Sequence, residues 1–486
     1  MRVERSIEAA GRVPPVLAVD LDGTLLRTDL LHETLLAGLA SRPRATLAAL
    51  TALRRGRAAL KAALAAMPVD PAGLPLNQAV VAHVRAARAA GMRTVLVSAS
   101  DARLVRAVAE RTGLFDEAHG SEPGRNLKGA AKAAFLARRF GEGGFAYVGD
   151  SRADLPVWAR AAEAVTVGAG PGLRRAAAAA APAVRHLEPA GRLGIGGAHL
   201  RALRPHQWLK NLLVFLPALA AHAADPALWL GALMAFIAFG LTASSVYVLN
   251  DLLDLGPDRA HPRKRHRPFA AGAVPIAHGM VMAPGLLAGG VVVALIGTPP
   301  LFLAVLGGYY ALTLAYSLLL KRRLVIDICA LAGLYTLRVM GGAAATGVAL
   351  SPWMLAFSGF LFLALAAVKR QAELVDGIAS GRERAAGRAY MAGDLPIVTM
   401  MALAAGYAAV LVLALYIASP EVRMLYGQPA LLWGVAPVMV YWISRMVMIA
   451  HRGRMTDDPI VFALRDPVSL ACGAAVAGLG VAAAFL

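Results

Sequence analysis

Asn250 to Pro268 reads N-D-L-L-D-L-G-P-D-R-A-H-P-R-K-R-H-R-P. The stretch follows an apolar run, Trp229 to Leu249, that is long enough to cross a bilayer. Asp251, Asp254 and Asp258 recur at intervals of three and four, so on a continuing helix they share one face. Like charges packed that closely repel unless a divalent cation neutralises them. Carboxylates with the amide oxygen of Asn250 suit Mg²⁺, a hard ion that usually brings substrate phosphates with it. Arg259, Arg263, Lys264, Arg265 and Arg267 follow at once and supply charge for the rest of a polyanion. A loop that merely sets topology needs Lys and Arg but no ladder of Asp. The pattern therefore predicts a site for a phosphorylated substrate at a membrane surface.

Composition agrees. Of 486 residues, 58% are hydrophobic and only 16% charged, which is too apolar for an all-soluble chain of more than one domain. A net charge of +19 fits nucleic acid or an anionic membrane face. Aromatic-interleaved basic stretches of the RNA-binding kind are missing, so no nucleic-acid partner is expected. The two cysteines, Cys329 and Cys472, lie in apolar runs and imply neither a disulfide framework nor a thiolate metal site. The first dozen residues lack the apolar core of a signal peptide, which predicts a first domain that stays in the cytosol.

Upstream, Val16–Val19 is a short apolar run of buried-strand type that ends in Asp20-Leu21-Asp22-Gly23-Thr24-Leu25. Thr94–Val97 ends at Ser98, Lys128 follows in N-L-K-G, and Phe145–Val148 leads into Gly149-Asp150-Ser151-Arg152-Ala153-Asp154. In order and in placement at strand ends, these resemble the four motifs of the haloacid dehalogenase-type phosphohydrolases, over most of residues 14 to 170. The resemblance implies a Rossmann-like α/β domain over residues 1–190. Asp20 would be the nucleophile and Asp22 the acid that protonates the leaving oxygen and then activates water. Mg²⁺ would be held among Asp20, Asp22, Asp150 and Asp154, with Ser98 and Lys128 on phosphate oxygens. Residues 29–90, rich in Ala, Leu and Arg, lie where the family carries a small helical cap. Residues 171–200 are rich in Ala and Gly and read as a last helix or strand followed by a linker over 191–200.

Nine apolar segments follow within 201–486, at about 207–222, 229–249, 277–297, 300–320, 324–344, 353–368, 397–417, 429–449 and 468–486. The loops after the second, fourth, sixth and eighth segments carry sixteen Lys and Arg, seventeen with Arg445 near the end of the eighth segment; the four opposite loops carry one, Arg423. The positive-inside rule then predicts that Asn250–Pro268 faces the cytosol, as does the first domain.

R-P-H-Q-W-L-K-N (Arg204 to Asn211), the Asp ladder and nine predicted spans together resemble the UbiA-type intramembrane prenyltransferases, an all-α fold of nine transmembrane helices. Members that prenylate aromatic rings carry a second Asp-rich motif after the sixth span. Here that place holds Lys369-Arg370-Gln371-Ala372-Glu373, basic with one carboxylate. K-R-x-A-E-L, the R-x-x-G-G from Arg338 and the L-R-D ending at Asp466 resemble the decaprenyl-phosphate phosphoribosyltransferase branch. That resemblance implies transfer of 5-phosphoribose from phosphoribosyl pyrophosphate to a polyprenyl phosphate. Asn250, Asp251, Asp254 and Asp258 would hold Mg²⁺ on the departing pyrophosphate, with Asp251 and Asp254 as its catalytic carboxylates. Arg259, Lys264 and Arg267 would clamp phosphate oxygens, and Lys210 and Asn211 would complete the rim. Tyr316, Lys321, Lys369, Arg370 and Glu373 lie near cytosolic helix ends, where they either bind the remaining phosphate or only snorkel. Arg338 lies inside a span, a functional candidate or half of a structural pair.

The combined expectation is an enzyme of the inner membrane whose first domain removes the 5-phosphate that the second installs. An aromatic prenyltransferase with an accessory phosphatase is the alternative, and an inactive scaffold sits poorly with two intact acidic motifs. Homo-oligomerisation stays open.

Overall fold

The computed structural model describes residues 14–122, 125–188, 195–222, 224–381, 388–455 and 458–485. Part of the predicted linker (191–194) and the loop arginines Arg382 and Arg384 lie outside them. The chain divides into two compact units: residues 1–203 with 247–282, and residues 204–246 with 283–486.

The first unit is built on six parallel strands: β1 (Val16–Val19), β2 (Arg93–Asp101), β3 (Glu117–Ser121), β4 (Phe145–Gly149), β5 (Glu163–Val167) and β6 (Ala183–Leu187). Their order is β3-β2-β1-β4-β5-β6, which puts β1 and β4 side by side at the centre. Parallel strands covered on both faces are apolar throughout rather than alternating, and β1 is V-L-A-V, buried at every position. Leu17 and Val19 face one layer with Val80, Val84, Val105 and Val108. Val16 and Ala18 face the other, with Leu136, Val157 and Trp158.

Between β1 and β2 the stretch expected to be helical holds α1 (Leu30–Ser41) and the shorter helices Pro43–Leu50 and Arg57–Leu64. The last helix of that stretch, Gln78–Ala89, packs Val80, Val81 and Val84 into the sheet's core, so it belongs to the α/β layer instead. Two more helices complete the parts needed below: α2 (Ala102–Thr112) and α3 (Ala130–Phe140). Within the stretch read as linker, Ile195–Leu203 forms a helix.

Eight helices, among the described residues, are long and apolar enough to cross a membrane. They are α4 (Pro226–Leu253), α6 (Ile276–Gly297), α7 (Pro300–Leu318), α8 (Ile326–Thr346), α9 (Pro352–Ala379), α10 (Leu395–Ala418, a span of Ala392–Ala418 with the turn before it), α11 (Val435–His451, a span of Pro429–His451 with the turn before it) and α12 (Pro467–Phe485), with the short α5 (Leu255–Ala260) after α4. The expected ninth span, 207–222, is instead a 3₁₀ helix, Pro205–Phe215, followed by the short helix Leu216–Ala220. Pro217 falls inside it and removes a backbone donor that a continuous helix would use, and Pro205 opens the 3₁₀ turn just before it. Both α4 and α9 run to 28 residues, about 42 Å, against about 30 Å of hydrocarbon. Their polar C-terminal turns, Asn250–Leu253 and Lys369–Ala379, therefore extend past the apolar layer.

Candidate functional site

The best-defined centre lies at the C-terminal ends of β1 and β4. Asp20 follows the last residue of β1 and Asp150 the last residue of β4, and Asp20 N–H donates to Val148 O at 2.9 Å. One oxygen each from Asp20, Asp150 and Asp154 lie within 4.8 Å of one another. Gly23, at φ +77°, is required here: a Cβ would lie 2.4 Å from Asp150 Oδ2. Burial pushes the Asp20 carboxyl up to about 7, against the pull of Lys132, and the Asp150 carboxyl up to about 6 with help from Asp154. Three crowded carboxylates with hard oxygen donors fit a divalent cation.

Asp22 is not part of that set, contrary to its place among the expected metal ligands. Its Oδ2 accepts from Ser100 Oγ at 2.6 Å and Ser98 Oγ at 3.1 Å, and its Oδ1 from Leu30 N–H at 2.9 Å. The chain leaves the strand after Val19 and turns, and Asp22 meets these donors instead of the carboxylate cluster. Burial first, then the charge of Asp29, raises its pKa, which suits an acid that must give up a proton. Ser98 is fully buried and bonded to Asp22.

The lysine of this centre is Lys132 and not Lys128. Lys128 precedes α3 and is exposed. Lys132, one turn later and 3% exposed, puts Nζ 2.9 Å from Asp20 Oδ1 and 3.9 Å from Asp154 Oδ1, and donates to Tyr147 OH at 2.8 Å. Tyr147 OH donates in turn to Asp154 Oδ1 at 3.0 Å. Sequence reading missed Lys132, Ser100 and Thr24, whose hydroxyl donates to Asp150 Oδ1 at 3.2 Å. Thr24 alone carried a signal, as part of D-x-D-G-T.

At the Asp ladder, α4 ends at Leu253, Asp254 takes the N-cap position of α5, and Asp258 lies within α5. Backbone bonds from Asp254 N–H to Asn250 O (2.9 Å) and from Asp258 N–H to Asp254 O (2.8 Å) carry the helical register across that junction. Asp251 and Asp258 accordingly share a face, and Arg267 Nη1 bridges them at 3.2 and 2.7 Å. The three ladder carboxylates do not converge as those of the first centre do; among the described residues only that centre brings three acidic groups so close. The Arg267 guanidinium holds the space between Asp251 and Asp258. Burial raises Asp258 while Arg267 opposes it. Arg259, expected on phosphate, is engaged on all three nitrogens, with Glu33 and Ala270 O. Lys264 is exposed.

In the second unit two polar clusters stand out. Asp458 Oδ2 pairs with Lys210 at 2.5 Å and Lys369 at 3.3 Å, and Tyr335 OH donates to it at 3.3 Å. Burial would raise this carboxyl, but the two ammoniums outweigh it and hold it well below the usual range. Asn211 Oδ1 accepts from Arg338 Nε at 2.8 Å, and Arg338 also reaches Tyr309 OH and Leu334 O. Arg338 is thus a buried structural cation packed over the Tyr309 ring. Adjacent helix residues point about 100° apart, so Arg370 leaves Lys369 and pairs with Asp327 at 2.7 Å and with Glu373. Arg370 is fully buried, and Tyr390 OH donates to the same Asp327 at 2.7 Å. Arg370 therefore holds α8 to α9 rather than reaching a phosphate. Arg388, beside them, donates to Tyr316 OH at 2.9 Å and to Lys321 O at 3.4 Å. Asp466 pairs with Arg445, not with its neighbour Arg465. Sequence reading missed Asp458, which looks like an ordinary helix cap before Pro459 and does accept from Ile460 N–H.

A parallel α/β domain with a phosphohydrolase-like acidic centre, joined to a helical membrane domain with its own acidic motif, defines a membrane-embedded enzyme with a hydrolase module. The chain belongs to the UbiA prenyltransferase family, which matches residues 211–483, and carries a haloacid dehalogenase-like hydrolase domain matched over residues 17–158. An uncharacterized protein of Sinorhizobium fredii is 40% identical over 465 residues, 95% of this chain and 89% of that one. Nodulation protein NoeC of Azorhizobium caulinodans is 38% identical over 288 residues, 59% of this chain and 92% of its own. A decaprenyl-phosphate phosphoribosyltransferase of Mycobacterium tuberculosis is 42% identical over 184 residues, 36% of this chain; the match spans 59% of that protein's length.

Proposed function

We propose that the membrane domain transfers 5-phosphoribose from phosphoribosyl pyrophosphate to a polyprenyl phosphate, and that the hydrolase domain then removes the 5-phosphate. The observation that carries the first half is the paired ammoniums of Lys210 and Lys369 on one carboxylate, where an aromatic prenyltransferase would need a second acidic motif. Two ammoniums on a single Asp leave net positive charge for a second anionic substrate. The similarity to a decaprenyl-phosphate phosphoribosyltransferase supports the same reading.

In the transfer, a lipid phosphate oxygen forms a bond to the anomeric carbon as the bond to pyrophosphate breaks, and the leaving group keeps the electron pair. The acceptor is already ionised and needs no general base. Asn250, Asp251, Asp254 and Asp258 would hold Mg²⁺, which supplies charge for the departing pyrophosphate. Arg267, released from Asp251 and Asp258, and Lys264 take phosphate oxygens.

In the hydrolysis, Asp20 attacks phosphorus, the ester bond breaks, and the ribose oxygen takes its proton from Asp22. Water then attacks the aspartyl phosphate, loses a proton to Asp22 and releases inorganic phosphate. Lys132 holds Asp20 in place, and Mg²⁺ among Asp20, Asp150 and Asp154 would screen the approach of one anion to another. The charge asymmetry of the loops supports both centres working on the cytosolic side.

The test offers the purified full chain phosphoribosyl pyrophosphate with polyprenyl phosphate and weighs the lipid product. Polyprenyl-phosphoryl-ribose is expected. No ribosylated lipid, with turnover of a prenyl diphosphate and an aromatic acid instead, would overturn the reading in favour of the aromatic prenyltransferase.

A further inference from the structure

The α1 helix carries Glu33, a carboxylate 4% exposed in a part of the hydrolase domain that touches no substrate in the scheme above. Its partner is Arg259 of α5, one residue after Asp258 of the ladder. Arg259 Nη2 donates to Glu33 Oε1 at 2.6 Å and Nη1 to Oε2 at 3.0 Å, the bidentate fork geometry, while Nε is held by Ala270 O at 3.0 Å. A buried carboxylate of this kind is costly unless paired, and here nothing in the chemistry of the hydrolase explains it.

From Glu33 the bonds lead to the catalytic loop. Thr28 Oγ1 donates to Glu33 Oε1 at 2.6 Å, and Thr28 O accepts from Gly23 N–H at 3.1 Å, next to Asp22. Leu30 N–H, the first of α1, donates to Asp22 Oδ1 at 2.9 Å. A second contact lies beside the first. Gly272, at φ +64°, passes so close to residue 27 that a Cβ there would lie 2.7 Å from both Arg27 Cβ and Arg27 O. The segment that follows the Asp ladder thus grips the loop 23–33 at two points. A cleft of about 300 Å³ between α1 and α5 has Glu33 and Arg259 in its wall, both already committed to each other.

We propose that Arg259 is a positioning residue of the hydrolase centre: through Glu33 and Thr28 it fixes the loop that aims Asp22 at the leaving oxygen. The arginine of the transferase motif then serves the second reaction, and hydrolysis is tied to the presence of an intact transferase segment. This rests on the hydrolase reading given above, with Asp22 as its acid.

The test uses the full chain in detergent and compares wild type with Arg259→Ala, Arg259→Lys, Glu33→Gln and the double variant Arg259→Ala/Glu33→Gln. Ribose 5-phosphate, whose departing alkoxide needs the proton of Asp22, is set against p-nitrophenyl phosphate, whose phenolate does not. Arg259→Ala and Glu33→Gln should each lose about tenfold or more in kcat/KM for ribose 5-phosphate and less than about threefold for p-nitrophenyl phosphate. Arg259→Lys should recover part of the loss. The double variant should be no worse than the worse single, since both act through one link. Amide exchange over residues 20–34 should quicken in all of them. Equal loss on both substrates, or an unaffected Glu33→Gln beside an Arg259→Ala that raises only the KM for phosphoribosyl pyrophosphate, would overturn the proposal and return Arg259 to a phosphate clamp. Should wild type hydrolyse neither ester, the hydrolase reading fails, and unchanged exchange over 20–34 in Arg259→Ala would then sink the positioning role as well.

Discussion

Replacing Lys132 with Met removes the one buried ammonium from among Asp20, Asp154 and Tyr147. At 2.9 Å from Asp20 the pair is worth about 6 kcal/mol with an effective dielectric near 20. Part of that offsets the desolvation of both charges, so the expected net loss on removing one partner is about 3–5 kcal/mol. Methionine fills similar volume, which keeps the cavity term small. For a domain of this size that corresponds to a fall of roughly 10 °C in its unfolding midpoint. Catalysis should suffer more than stability: Asp20, already raised by burial, loses the opposing cation and is protonated over a wider pH range. A loss of about a hundredfold or more in phosphomonoester hydrolysis follows. Lys128→Ala, at an exposed position, should change stability by less than about 0.5 kcal/mol and leave hydrolysis intact. The assay is thermal unfolding of the detergent-solubilised chain followed by near-UV signal, with hydrolysis of p-nitrophenyl phosphate alongside. Loss of activity in Lys128→Ala with retention in Lys132→Met would refute the assignment.

Asp20→Asn should leave phosphoribosyl transfer intact and let the 5-phosphorylated lipid accumulate, since an amide forms no phosphoryl-enzyme; equal product ratios by mass spectrometry would mean the hydrolase acts on something else. Asp251→Asn should abolish transfer without loss of membrane insertion, and full activity would remove that carboxylate from the metal site. Lys369→Ala should raise the KM for an anionic substrate more than it lowers kcat, whereas Arg370→Ala should mainly cost folded yield, about 3 kcal/mol, because buried Asp327 keeps only the Tyr390 hydroxyl and the more distant Arg388. If the two variants behave alike in kinetics and in unfolding, the division of labour between them is wrong. Chelation should silence both activities and added Mg²⁺ restore them; transfer that survives a chelator would contradict a metal on the Asp ladder.

The sequence disclosed those parts whose periodicity or strand-end placement is itself the chemistry. β1, β2 and β4 could be read because a parallel strand is an unbroken apolar run and the acids follow it directly. The edge strands β3 and β6, E-A-H-G-S and A-V-R-H-L, are short and partly polar and have no such signature. The Asp ladder was legible from its spacing, and across the junction at Asp254 its outer members Asp251 and Asp258 still meet one arginine, Arg267. Lys132 was not, because A-A-K-A-A-F reads as any surface helix, and only packing against Tyr147 turns it inward. The partners of Arg259, Arg338 and Arg370 were also hidden, since a charge run says nothing of what lies across from it. The first of the nine expected spans is not among the eight long apolar helices of the described residues for a related reason: hydropathy over 207–222 is blind to 3₁₀ winding and to the backbone donor that Pro217 lacks.

The central pairing of β1 with β4 has a consequence for how the hydrolase module tolerates change. Neighbouring strands sit about 4.8 Å apart, and Val19 lies opposite Val148, so the spacing of Asp20 and Asp150 is inherited from the ladder itself. Their separation is a property of the sheet, indifferent to how much chain is inserted beyond α1, between residue 42 and residue 77. Helices there can be trimmed, lengthened or exchanged, changing which molecules gain entry, while the reacting acids keep their distance. Selection on substrate size and selection on chemistry can thus proceed on separate stretches of the polypeptide.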